Sequence, residues 1–205
     1  MNRSPRAFSL IELLVVVAIC GLLMVMLVPA FNNLGKAQLL NAEGNKIVNL
    51  INLAGQNSAA KNAMTALIAI PGDSTRPGGF GLFEYLPEGA GWKQIAEWES
   101  LKDGITFDYP NTNYKFSEYP ALKPSPDFPT ITYRGASISS FQYLVFLPSR
   151  SLFQPTSAQL RLVEGFFAAG ATNPTYTRPG PYNGAANYYA VTVLGTSGRP
   201  KIDQP

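Results

Sequence analysis

The longest uninterrupted pattern in the chain is an apolar run near its start. From Leu13 to Phe31, nineteen consecutive residues carry no charge and no strongly polar side chain. At a helical rise of about 1.5 Å per residue the run spans roughly 28 Å, close to the ~30 Å hydrocarbon core of a bilayer. It predicts a membrane-spanning helix over residues 8–31. Past Phe31 the pattern stays helical but becomes one-sided. Leu40, Ile47, Ile51 and Ala54 follow one another at spacings of seven, four and three, which places them on one stripe. Lys36, Asn41, Glu43, Lys46 and Asn49 fall mostly elsewhere around the axis. One helix over residues 8–62 is therefore expected, apolar in its first half and amphipathic in its second. Gly35, Gly44 and Gly55 each cost such a helix about 1 kcal/mol relative to alanine, so packing must support it. Pro29 has no N–H for its i−4 carbonyl and predicts a kink or a local opening.

From Met64 onward the pattern turns to β. MTALIAI is a short apolar run closed by PGDSTRPGG, a loop by its glycines and prolines. FGLFEYL, ITFDY, FQYLVFL, AQLRLVEGFF and NYYAVTVL read as strands, and GTSGR before PKI predicts a terminal hairpin. In WKQIAEWESL the residues Ile95, Trp98 and Leu101 have helical spacing, so a short helix is expected there. Residues 110–130 and 171–187 read as long surface loops. The expected organisation is a leader at 1–7, the helix at 8–62 and a β-rich head at 63–205. The fold class is α+β, a long amino-terminal helix packed on an antiparallel head.

Charge sharpens the topology. The leader MNRSPRA holds two arginines and no acid, and cations before a first span favour keeping that end in the cytoplasm. The formal charge of +3 falls to +1 without those residues, so basicity alone is weak evidence for a nucleic-acid partner. Residues 73–133 carry nine acids and five bases, and residues 134–205 two acids and six bases. That asymmetry reads either as complementary faces between copies or as a solvated surface.

Candidate chemistry is sparse. The chain has no histidine, which removes Ser-His-Asp triads and histidine metal sites. Its single cysteine, Cys20, sits in the apolar run as a small hydrophobe. Glu97, Glu99, Asp103 and Asp108 could gather carboxylates for calcium, but no EF-hand pattern is present. Trp92 and Trp98 read as packing residues. Tyr176, Arg178, Tyr182, Tyr188, Tyr189, Arg199 and Lys201 mix aromatics with bases, as single-stranded nucleic-acid platforms do, although a decorated β surface is favoured. No cofactor, metal or enzymatic activity is expected.

The amino terminus holds the one sharp signal. Glu12 places a carboxylate at the mouth of the apolar run. A cleaved secretory signal, with Val28-Pro29-Ala30 as its small-residue site, and a plain signal anchor are two readings of such a segment. A third comes from a resemblance. Ala7-Phe8-Ser9-Leu10-Ile11-Glu12-Leu13-Leu14, behind a short basic leader, resembles the prepilin-type cleavage and methylation motif of type IV pilins and type II secretion pseudopilins. The resemblance implies cleavage by prepilin peptidase between Ala7 and Phe8, with N-methylation of Phe8. It also implies assembly with other pilin or pseudopilin subunits through the helix, with Glu12 and Pro29 as assembly positions. Ala7 stands where the motif usually has glycine. The implied protein is a minor subunit of a type IV pilus or a type II secretion pseudopilus. Its location would be a single pass of the inner membrane with the head outside the cytoplasm, then a periplasmic or surface filament. The alternative is a membrane-anchored or tip-located binding module, an adhesin or a DNA-capturing minor pilin. The expected head is of the minor-pseudopilin type with two small antiparallel sheets. GQNSAAKN and the terminal GTSGRPKI are also similar to the pilin-like Verru_Chthon cassette group.

Overall fold

The computed structural model describes residues 10–86, 91–108, 116–119, 124, 127–154, 156–169, 171, 173–180 and 184–204, with the side chains of 26–34 and 117–119 excepted. The backbone begins with one helix, α1, Leu10–Lys61. It stays helical through position 29, so the helix is not opened at Pro29. A proline removes one hydrogen bond, and the turns on either side carry the helix across. At the other end Asn62 takes a left-handed φ of 51°, and Ala63 N donates to Ser58 O at 3.2 Å, closing the helix in a Schellman-like cap.

Compactness divides the chain into two units, Met1–Gln38 and Leu39–Pro205. The amphipathic half of α1 thus counts with the head. There the expected stripe is the buried one: Leu40, Ile47, Ile51 and Ala54 are all inaccessible.

The head is antiparallel throughout. β1 (Thr65–Ile70), β2 (Gly79–Leu86), β3 (Gly91–Gln94), β4 (Glu99–Ser100), β6 (Ser117–Tyr119) and β9 (Phe141–Phe146) form a six-stranded sheet. Its order is β3-β2-β1-β9-β6, with β4 also on β2. β5 (Ile105–Phe107), β10 (Ala158–Phe166), β11 (Thr175–Tyr176), β12 (Tyr188–Val193) and β13 (Pro200–Asp203) form a five-stranded sheet of order β11-β10-β12-β13, with β5 also on β10. β7 (Ile131–Tyr133) and β8 (Ala136–Ile138) make a separate hairpin. Two main antiparallel sheets match the sequence expectation.

Strands β1 and β9 of the first sheet are buried on both faces, which explains why MTALIAI and FQYLVFL read as continuous apolar runs rather than alternating ones. Leu67, Ala69, Phe80, Leu82, Leu144 and Phe146 meet the helix stripe and residues of the second sheet. Ala66, Ile68, Phe83, Tyr143 and Val145 point to a second core closed by Phe128, Ile131 and Tyr133.

WKQIAEWESL forms no helix. It is β3, a bend and β4, both paired to β2. Ile95, Trp98 and Leu101 do not share one face: Ile95 and Leu101 belong to the helix-side core, whereas Trp98 packs on Phe83 and Tyr133 in the other, with ring centroids 5.9 and 5.1 Å apart. An open β2 edge captured a stretch too short to hold a helix by itself. β6 and β11 likewise fall inside segments expected to be loops.

Candidate functional site

The amino-terminal part of α1 is apolar around its whole circumference. Every side chain from Leu10 to Val25 is exposed, the large apolar ones from 50% at Val15 to 83% at Leu10, and Glu12 is the only charged residue among them. A helix of that kind belongs inside a protein core, a helix bundle or a bilayer. Apolar surface on this scale marks a site of interaction or insertion. Glu12 lies in the first turn, where a carboxylate complements the positive end of the helix dipole.

The carboxyl-terminal part of α1 is held by close fit. Tyr189 of β12 lies over Gly44, where an added Cβ would run into the ring, and its hydroxyl donates to Asn45 Oδ1 at 2.8 Å. The mid-helix glycine is therefore required by this approach. Lys46 pairs with Glu43 at 2.7 Å and donates to Ser100 O at 3.0 Å, tying the helix to β4. Lys61 pairs with the nearly buried Glu84 of β2 at 2.6 Å. No sequence pattern flagged Gly44, Asn45 and Tyr189 as a set; the costly glycine in mid-helix was the available clue.

A family model described as a prokaryotic N-terminal methylation motif matches residues 2–28. The chain carries that motif. It includes the predicted cleavage pair Ala7 and Phe8, which lie outside the described residues, and Glu12, which lies within them. No curated protein matches the chain. Among solved structures it is similar to the type IV minor pilin FimU of Pseudomonas aeruginosa, at a TM-score of 0.47 and 11% identity, over 81% of this chain and 92% of that one. It is also similar to the minor pseudopilin EpsH from the type 2 secretion system of Vibrio cholerae, at 0.46 and 12%, over 81% and 97%.

Among the described residues, no helix is long and apolar enough to cross a membrane. The side chains of 26–34, which complete the expected span, lie outside that description.

Several of the head's candidate groups are engaged internally. Asp108 is buried: Tyr176 donates its hydroxyl to Oδ1 at 2.6 Å, and Arg161 Nε stands 3.1 Å from Oδ2. Burial first, then that bond to Asp108, pushes the Tyr176 hydroxyl up to about 12. Glu99 lies 3.9 Å from Lys46. Among the described residues, no three acids, cysteines or histidines gather where a metal could bind. Among the described residues, the carboxyl-terminal aromatics form no common platform. Tyr189 is in the core, Tyr188 lies under Arg161 at 4.2 Å, and Tyr182 falls outside the described residues. The two segments of opposite net charge meet at one such pair. Asp108 pairs with Arg161 across them, and Arg134 donates to Ser100 Oγ at 3.1 Å, beside the exposed Glu99.

In PGDSTRPGG, Asp73 Oδ1 accepts from the Thr75 amide and hydroxyl and from the Arg76 amide, while Oδ2 accepts from the Arg76 guanidinium at 2.6 Å. Burial works upward on this carboxyl, but those bonds and the Arg76 charge outweigh it and hold it at about 2. The loop borders an open cleft of about 350 Å³ with Lys102–Thr106 and Gly165–Phe167. Its polar groups serve the turn, as the sequence suggested.

Proposed function

We propose that the chain is a pilin-like structural subunit, cut by prepilin peptidase between Ala7 and Phe8, N-methylated at Phe8, and assembled through its amino-terminal helix. It serves as a minor component of a type IV pilus or a type II secretion pseudopilus. The observation that carries this reading is the helix with apolar side chains exposed on every side from Leu10 to Val25, inside a methylation motif. Before assembly the segment 8–31 sits in the inner membrane as a single pass, with the head outside the cytoplasm. In the filament, neighbouring helices take the place of lipid.

Glu12 explains itself in that setting. A charge at the centre of a span costs about 2.5–3.5 kcal/mol on insertion scales and less near the edge, so a waiting subunit tolerates it at the interface. In the filament it meets the amine of Phe8 on an adjacent subunit, and the pair sets axial register. Pro29, with its missing N–H, lets the helix yield locally during packing. The domain plan is a leader at 1–7, an assembly helix at 8–62 and a head at 63–205 that presents a specific surface and carries no catalysis.

The test is Glu12→Ala. Membrane insertion stays normal, and recovery in sheared filaments falls at least tenfold, because breaking a buried pair costs about 3–5 kcal/mol. Unchanged incorporation rejects the ion-pair role.

A further inference from the structure

The five-stranded sheet ends on β13, and the open flank of that strand is complementary to itself. Leu194 N donates to Arg199 O at 3.0 Å, which makes those residues a hydrogen-bonded pair of the β12–β13 ladder. Hydrogen-bonded and non-hydrogen-bonded pairs alternate in an antiparallel ladder. Lys201 and Asp203, opposite Thr192 and Ala190, therefore turn their backbone groups toward β12. Pro200 and Ile202 turn theirs outward. A proline at an outward position fits, since its missing N–H is lost only from the free edge. No strand of the described residues pairs with that edge. Lys201, Ile202 and Asp203 are all exposed, Ile202 at 44% although it lies opposite the buried Val191.

We propose that β13 pairs antiparallel with β13 of a second copy of this chain, centred on Ile202. In that register the two Ile202 residues exchange both backbone hydrogen bonds. Gln204 N–H of each copy reaches the Pro200 carbonyl of the other. Lys201 of each copy stands opposite Asp203 of the other, as a non-hydrogen-bonded pair with Cα atoms about 4.5 Å apart. The contact is isologous and closed, so it makes a dimer and no fibre. Registers centred on Lys201 or Asp203 place like charges directly opposite each other, which the Ile202-centred register avoids. A lysine and a proline on an edge discourage pairing with an arbitrary strand. Here the same residues leave one permitted partner, because Lys201 finds an acid only in the self-complementary register. The inference stands apart from processing and filament assembly.

Disulfide trapping on the full-length chain in lipid vesicles, in a Cys20→Ser background, tests it. The register puts the two Ile202 Cα atoms about 5.5 Å apart, within the 4.4–6.8 Å window for a disulfide. Ile202→Cys is expected to give a dimer on mild oxidation. Lys201→Cys and Asp203→Cys should crosslink when mixed and far less when each is alone. Adding Lys201→Asp to Ile202→Cys sets acid against acid twice and lowers the dimer yield roughly tenfold. The exchange Lys201→Asp with Asp203→Lys restores it, which separates a lost contact from a lost fold. Absence of the Ile202→Cys dimer, equal trapping at all three positions, or indifference to Lys201→Asp overturns the proposal.

Discussion

The two halves of α1 are one helix in two different surroundings. From Leu10 to Val25 every side chain is exposed and nearly all are apolar, so the order of residues around the axis carries no preferred face. From Leu39 to Lys61 a single stripe is buried and the opposite side is polar. The contrast shows that helical pattern reports what surrounds a helix more than the helix itself. It also divides the consequences of mutation. In the second half, substitutions act on the stability of the head. In the first half they leave the isolated fold unchanged and act only where another molecule or lipid covers the surface.

The widest gap between the halves comes from truncating large side chains. Ile51→Ala empties a fully buried site and is expected to cost about 2–5 kcal/mol in denaturant unfolding of the head. Leu22→Ala, at an exposed position, should stay within about 0.5 kcal/mol in the same measurement. Equal effects would show that the first half is packed on its own chain.

Glycines sharpen the contrast by reversing sign. Gly44→Ala drives a Cβ into the Tyr189 ring and should cost roughly 1–3 kcal/mol. Gly21→Ala meets nothing within 4 Å and should raise helix stability by up to about 1 kcal/mol, read by circular dichroism in detergent. A stabilised Gly44→Ala would mean that Tyr189 does not lie over the helix.

A smaller effect isolates the polar part of the same contact. Tyr189→Phe removes the bond to Asn45 and should cost about 1 kcal/mol. Burial raises the Tyr189 hydroxyl above its ordinary 10, so its contribution is complete below pH 10 and declines as pH climbs through the raised value. The variant's alkaline unfolding limb should be correspondingly flatter, and an identical limb would remove Tyr189 from that titration.

The smallest effect lies in the head's own turn. Asp73 is held at about 2 against an ordinary 3.8, so its stabilisation is present above about pH 4 and lost as pH falls through 2. Its side chain is 41% exposed, which limits the contribution to less than about 1 kcal/mol. Asp73→Asn should remove that part of the acid dependence in pH-dependent melting; a steeper acid limb would contradict it.

Much of this plan was legible in the residues. The stripe Leu40, Ile47, Ile51 and Ala54 follows a period that burial enforces, and MTALIAI and FQYLVFL are apolar because both of their faces are covered. WKQIAEWESL misled because Ile95, Trp98 and Leu101, at helical spacing, serve separate cores, a division decided by strand pairing to β2. The β7–β8 hairpin passed unnoticed. Its turn uses Arg134 and Gly135, both at positive φ, where an Asn-Gly pair would have been the recognisable sign. Of the candidate site, Glu12 and the leader were visible as chemistry out of place. The fates of Asp108 and Tyr189 were not, because their partners Arg161 and Asn45 are distant along the chain.

The direct measurement is intact and N-terminal mass spectrometry of the protein extracted from membranes of cells that express it with a prepilin peptidase. The account predicts a chain that begins at N-methyl-phenylalanine from Phe8, with Glu12 one turn inside. A chain that begins at Phe31, or one that keeps Met1, would contradict it.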